Sequence, residues 1–302
     1  MADAIPTWLI SQFSSSVEHL LQDKGGKLRS AVSYKGGYRG KQASPVNFIG
    51  TTAVVEVNER YGDTPNMDIP HERRWVVPRK FHWGKLVETD DELYTGIEPT
   101  GDYTQAAAAA FARKEDEVII GGFWATAKTG ETGAGSEAWS DTGYVVAESV
   151  GGSNTGMNLD KLRMVRQLFQ YYHNDLDAEE IHMAITEEEE QDLLALTTVL
   201  SSDYVGSRPV QTGKLPPIMG INFHIFSQQT LNALTDTAET ANVRSLPVWI
   251  KSGVHLGSWK ERTVDVMRNP QKQMKPQIYM AAFYDCTRLQ LGKVLKVKCY
   301  HS

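Results

Sequence analysis

The stretch Gln105–Gly122, QAAAAAFARKEDEVIIGG, decides how the chain is read. Five alanines run into Phe111, followed by Arg113 and Lys114, then Glu115, Asp116 and Glu117, an apolar triplet and two glycines. Alanine is the strongest helix former and a glycine pair supplies a stop. The pattern predicts a helix over 102–120, about 28 Å long, with Thr100 or Asp102 as its N-cap. Tyr103, Ala107, Ala110, Phe111 and Val118 fall near one helical face. The acids sit at the wrong end. Negative charge near a helix C-terminus opposes the macrodipole by a few tenths of a kcal/mol or more per residue. Arg113 and Lys114 offset part of this, so the rest predicts cations brought in from elsewhere.

Upstream, Ile49, Thr51, Ala53, Val55 and Val57 alternate with more polar residues, the period of a strand. YGDTPNMDIP is turn chemistry, and ERRWVVP returns as a second extended segment. The result is a long two-stranded loop carrying Arg60, Arg73, Arg74 and Arg79. An isolated hairpin is marginal in water, so this one needs a surface to rest on. Residues 26–46 are rich in Gly, Ser and Tyr and hold Lys27, Arg29, Lys35, Arg39 and Lys41. They read either as an extended basic arm or as a solvated linker. Ahead of them, Pro6, Leu9, Phe13, Val17 and Leu20 suit a short amphipathic helix ended by Gly25.

Downstream, residues 123–156 read as short strands and Gly-rich turns. A helix starts at Asn158, its cap, with Leu159, Leu162, Val165 and Phe169 as its stripe. Another starts at Thr186, which forms a capping box with Glu189. QIYMAAFYD is a strand. KVLKVKC is a second one, with Leu295, Val297 and Cys299 on one face and Lys296 and Lys298 on the other. No repeat appears, and the fold class is α+β.

The 302 residues suffice for one large domain or two ordinary ones, and 41% are apolar, a globular composition. The net charge of −6 leaves no basic excess to grip nucleic acid tightly. Cys286 and Cys299, the two cysteines, sit in apolar runs without zinc spacing and read as buried thiols. No run approaches the roughly 18 apolar residues that span a bilayer, and no membrane partner is expected.

Local catalytic motifs are missing. TGETGAG lacks the spacing and the following helix of a nucleotide-binding loop, and no GxSxG or HExxH occurs. His173 and His182 lack ligand spacing. Asp63, Asn66 and Asp68 lack the glycine and distal glutamate of a calcium loop, so an ordinary turn is favoured. Glu187–Glu190 reads as a helix start, and Ser136 and Ser153 have no histidine evidently placed to activate them. No catalytic, cofactor-binding or metal residue is expected.

The order of these elements resembles the major capsid protein of tailed bacteriophages, with the Hong Kong 97 fold. AAFARKEDEVIIGG is similar to the end of that family's spine helix, where a Glu-Asp pair precedes an apolar pair and glycine. NLDKLRMVRQLF and AITEEEEQDLL resemble its axial-domain helices, and SSDYVGSRPVQTGKLPPIMGINFHIFS its axial segment. AAFYDCTRLQLGKVLKVKC resembles its closing strands. The resemblance implies an N-terminal arm (1–43), an extended loop (44–80), a peripheral domain with the spine helix (81–156), an axial domain (157–262) and return strands of the peripheral domain (263–302).

It also implies a non-enzymatic shell protein forming hexamers and pentamers of itself around phage double-stranded DNA, contacted without sequence specificity. The expected location is the virion, after assembly in the host bacterial cytoplasm. A portal and an optional decoration protein are further partners. No long cleavable domain precedes the arm helix, so scaffolding is expected on a separate protein. The expected inter-subunit residues are Arg39, Arg60, Arg73, Arg74, Trp75, Glu115, Asp116 and Glu117, with Arg73 and Arg74 meeting the three acids in trans. No lysine–asparagine cross-link is identifiable from Lys41, Lys80 or Asn66. The alternatives are an encapsulin-like nanocompartment, a soluble hydrolase with a spatially assembled site, and a tail component or adhesin.

Overall fold

In the computed structural model, which describes residues 25–50, 52–54, 56, 66–86, 100–196, 215–228, 230–231 and 242–301, the expected helix is present and longer than its glycines suggested. Helix α1 spans Thr100–Trp124 and runs through Gly121 and Gly122, about 37 Å at the usual rise. Its stop comes from another element. The Arg288 guanidinium donates to Phe123 O at 2.7 Å and Ala125 O at 3.1 Å, satisfying carbonyls that a helix end leaves bare. The buried face is Ala107, Phe111, Val118, Ile119 and Phe123. Tyr103, expected on that face, is 37% exposed.

The strands are β1 (Ser33–Lys35), β2 (Asn47–Ile49), β3 (His71–Trp75), β4 (Arg79–Leu86), β5 (Ala127–Thr129), β6 (Gly135–Glu137) and β7 (Val145–Val146). Helix α2 (Leu159–Tyr171), β8 (Ile181–Thr186), α3 (Glu187–Ala195) and β9 (Ile221–Phe226) follow. The chain then forms β10 (Val243–Ile250), β11 (Val254–Asn269), β12 (Lys275–Arg288) and β13 (Val294–Tyr300). They build three sheets, ordered β1-β11-β12-β4, β7-β13-β10-β8-β9 and β2-β3-β5-β6. Helix α1 lies on β12 and β11.

Among the described residues the extended loop pairs with itself at its base, where Asn47–Ile49 runs antiparallel to His71–Arg73. The strand expected to continue to Val57 stops at Ile49. Residues 52–54 have no ladder partner, and Val54 is 98% exposed. The amphipathic helix expected before Gly25, the loop tip with Arg60, and residues 201–214 lie outside the described residues.

In the second sheet, strands and helices form as their patterns dictate. Asn158 accepts from the Lys161 backbone N–H at 2.8 Å and caps α2, whose Leu162, Val165 and Phe169 enter the core. The Lys161 side chain is buried too. Its ammonium donates to Thr155 O, Gly156 O and Lys298 O at 2.7–2.9 Å, and burial lowers its pKa. Thr186 and Glu189 make both bonds of the capping box at the start of α3. The Arg244 guanidinium, fully enclosed, donates to Glu189 Oε1 at 2.6 Å. Glu189 is therefore a buried structural anion.

The closing segment divides between two sheets. Strand β12 pairs with β11 and β4, whereas β13 pairs with β10 and β7. Along β13, Leu295, Val297 and Cys299 are buried as the alternation requires. Lys296 on the opposite face is covered as well, with its ammonium 3.0 Å from Asp141 and 4.9 Å from the Trp124 ring centre. Both cysteines are free and buried.

The two helix glycines meet different surroundings. A Cβ at Gly122 would stand 3.0 Å from Cys286 Sγ and 3.1 Å from Cys286 O, whereas one at Gly121 would meet no described residue within 4 Å. Replacing mid-helix Gly by Ala gains about 1 kcal/mol when space is free. Gly121→Ala should therefore raise the urea midpoint of the unassembled chain, and Gly122→Ala should lower it.

Candidate inter-subunit surface

The acidic triplet is where sequence and structure part. Glu115 and Asp116 are 4% and 2% exposed, and the groups that meet them come from their own chain. Asp116 accepts from the backbone N–H groups of Gly26 at 2.7 Å, Lys27 at 3.2 Å and Leu28 at 3.1 Å. Arg29 lies 3.5 Å from Glu115 and bonds Glu261 at 3.1 Å. Gly25 lets the arm come this close, because a Cβ there would stand 2.1 Å from Arg113 N. Burial raises the pKa of both carboxyls. Arg29 and Arg262 pull Glu115 back, and the three N–H groups and Lys27 pull Asp116 back. Glu117 remains half-buried, paired with Lys114 one turn earlier at 2.5 Å.

The arginines answer to other partners. Arg74 is 5% exposed; its Nε donates to Leu289 O and its Nη2 to Glu137 Oε2, both at 2.7 Å. It bolts the base of the extended loop to the same region that holds the C-terminal end of α1, since Arg288 also donates to Glu137 O at 3.2 Å. Arg73 donates to Asn47 Oδ1 across the β2–β3 pair at 2.7 Å and lies 5.6 Å from the Trp75 ring centre. The Trp75 indole donates to Gly130 O at 2.7 Å. Arg79 meets Asp285 at 2.7 Å, and Arg39 is exposed.

Arg73 and Arg74 thus do not meet the acids within the chain, and Arg74, Glu115 and Asp116 are enclosed with partners of their own. The charge imbalance that motivated a pairing in trans is answered in cis by residues 26–29. Sequence reading missed this because Asp116's partners are main-chain N–H groups, which leave no side-chain signature. The available signals were the Gly25–Gly26 pair and the cations Lys27 and Arg29 behind it. Arg39, Arg73, Trp75 and Glu117 keep surface of their own.

Trp75 and Glu117 come together on one cleft of about 440 Å³ between the second half of α1, the β3–β4 bend and β12. Its walls include Arg79, Lys128 and Asp285, and Gly121 leaves its helical wall bare. Among the described residues no group of three or more His, Cys, Asp or Glu side chains is placed to hold a metal, and no helix is long and apolar enough to cross a membrane.

Asp116→Ala would strand three N–H groups beside a buried helix, at about 1–3 kcal/mol for each one left unsatisfied. We expect it to lower unfolding stability by several kcal/mol in urea titration. Asp116→Asn, which keeps one acceptor oxygen, should lose less.

The phage capsid protein family model matches residues 5–301. No curated protein matches. Among solved structures, the chain is similar to one from Mycobacterium phage Che8, with TM-score 0.69, 14% identity and 98% of each chain covered. It is also similar to the capsid of cyanophage P-SCSP1u, with TM-score 0.70, 14% identity and all of each chain covered, and to that of cyanophage Pam1, with TM-score 0.69, 13% identity and 99% of each chain covered. These likenesses confirm the Hong Kong 97-type fold at low identity. With the family model extending over nearly the whole length, the chain belongs to the phage capsid protein family.

Proposed function

We propose that this capsid protein builds a closed icosahedral head from hexamers and pentamers of itself, and that each copy's extended loop rests on a neighbour at the cleft beside Gly121. The observation that carries this reading is the contrast between the loop's base and its span. The base is locked by Arg74, while Ile49 at its outer edge and Val54 beyond it are 69% and 98% exposed. Apolar side chains so displayed gain roughly 25 cal/mol per Å² when a second copy covers them. Gly121 is the complementary feature. It costs the helix about 1 kcal/mol relative to alanine, yet among the described residues no neighbour would touch a Cβ there. A backbone approaching from another subunit would need that bare wall.

Arg73 and Trp75 are the loop-base residues that contact the neighbour in this reading, with Arg39 and Glu117 as surface partners and Arg60 carried by the loop. Weak contacts of this kind suffice because each copy engages several neighbours at once. The first sheet with α1 forms the peripheral domain, the second sheet with α2 and α3 the axial domain, and the segment 263–302 contributes to both. The mildly acidic chain does not condense the packaged double-stranded DNA. A separate scaffolding protein, a portal and an optional decoration protein complete the head, which assembles in the host bacterial cytoplasm.

Gly121→Leu should leave the unassembled chain folded, with unchanged circular dichroism, and abolish closed shells in electron micrographs of expressed protein. Arg73→Glu should reduce shell yield several-fold with the same monomer signature. Normal shells from both variants would refute the docking. Fibres or tubes from the unaltered chain would refute the closed head.

A further inference from the structure

We propose that residues Gly26–Tyr38, which tie the arm to the body, form an acid-sensitive latch: they lie on three neutral histidines, His182, His224 and His255, and protonation of that floor releases them while the sheets beneath stay closed. The histidines come from β8, β9 and β11, yet each faces this one segment directly or through Trp249. Ser33 has one hydroxyl proton, which it gives to Val254 O at 2.8 Å, so its oxygen accepts from His255 Nδ1 at 2.9 Å. That fixes the tautomer. His255 Nε2 is left to accept from the Tyr38 hydroxyl at 3.1 Å. A proton on Nε2 converts that acceptor to a donor and places a cation beside Lys35, whose ammonium lies 5.5 Å from the Tyr38 ring centre.

At the other end, Lys27 donates to Ile225 O at 2.7 Å and lies 4.9 Å from the Phe226 ring centre, on the strand that carries His224. His224 Nε2 meets His182 Nδ1 at 3.2 Å, an arrangement with one shared proton. Trp249 stacks on both rings, with centroids 5.9 and 6.0 Å away, and donates to Ala31 O at 2.8 Å. Charge on His224 therefore faces His182 and Lys27. Charge on His182 faces Lys251 as well as Glu180, whose carboxylate is 3.6 Å away.

Burial, reinforced by Lys35 for His255 and by His182 and Lys27 for His224, holds both histidines down to about 4, and burial lowers His182 as well. A depressed base favours the closed segment fully above its free value of about 6.5 and progressively less as pH falls toward the folded one. Each histidine exposed on opening adds up to about tenfold per pH unit to the opening equilibrium. Glu115 and Asp116 act with the opposite sign, because their raised values favour the closed segment as pH falls.

Amide hydrogen exchange on the full-length chain at about pH 7, 6 and 5, corrected for intrinsic rates and referenced to the β10 amides, tests this. We expect residues 26–38 to lose about tenfold or more of their protection per unit below pH 6, with β10 unchanged. In the His224→Gln/His255→Gln double variant the slope should flatten by at least tenfold over the range. Slopes are compared within each variant, so a weaker fold does not mask the result. Equal slopes for the segment and β10, or a double variant as pH-sensitive as the parent, would overturn the latch.

Discussion

One carboxylate receiving three successive backbone N–H groups joins the arm to the long helix, and the layout of the subunit depends on it. Asp116 fixes where residues 26–28 lie. From there Leu28, Ala31 and Val32 enter the core, and Ser33–Lys35 adds in parallel to β11. The parallel pairing has no hairpin to set its register, so an anchor ahead of the strand must do so. The same clasp resolves the electrostatic oddity of α1. Because α1 runs on to Trp124, the acids stand about two turns inside its end, beyond the last turn where the macrodipole acts, and one is met by backbone N–H groups and another by Arg29.

The opposite charge pattern governs the helix end itself. Arg288 and Arg74 converge on Glu137, its neighbours and the last carbonyls of α1. A guanidinium presents several donors in one plane and can satisfy diverging acceptors at once. Through Arg74 this hub reaches the extended loop, and through Arg288 it reaches β12. The loop is thus anchored where it leaves the subunit, while Val54 further along is almost fully exposed, a division suited to an element that finds its remaining contacts on another molecule.

Much of this was legible in the sequence. The alanine run, the Asn158 cap, the Thr186–Glu189 box and the apolar face of β13 each express a local rule that the fold follows, though α1 runs longer and Lys296 on the other face of β13 is buried too. The misreadings arose where a distant element overrides a local signal. Gly121 and Gly122 resemble a stop, but Arg288 lies 165 residues from Phe123 in sequence and decides where the helix ends. Ile49–Val57 carry a strand pattern, but among the described residues the ladder ends at Ile49, and 52–54 have no partner in it. Asp116 looked like a surface charge because its partners are main-chain atoms. Trp75 and Glu117 share a cleft, whereas Arg74, Glu115 and Asp116 turned inward.

The enclosed thiols have a practical meaning for anyone wishing to decorate these particles. Cys299 is pushed up to about 12 by burial, and burial raises Cys286 in the same direction. At neutral pH only about one Cys299 in 10⁵ would be ionised, and the thiolate is the reactive form. A maleimide would therefore ignore both native sulfurs. A single cysteine introduced at a solvent-facing position would become the sole point of attachment for a dye or drug, repeated on every copy, with no need to edit the natural residues first.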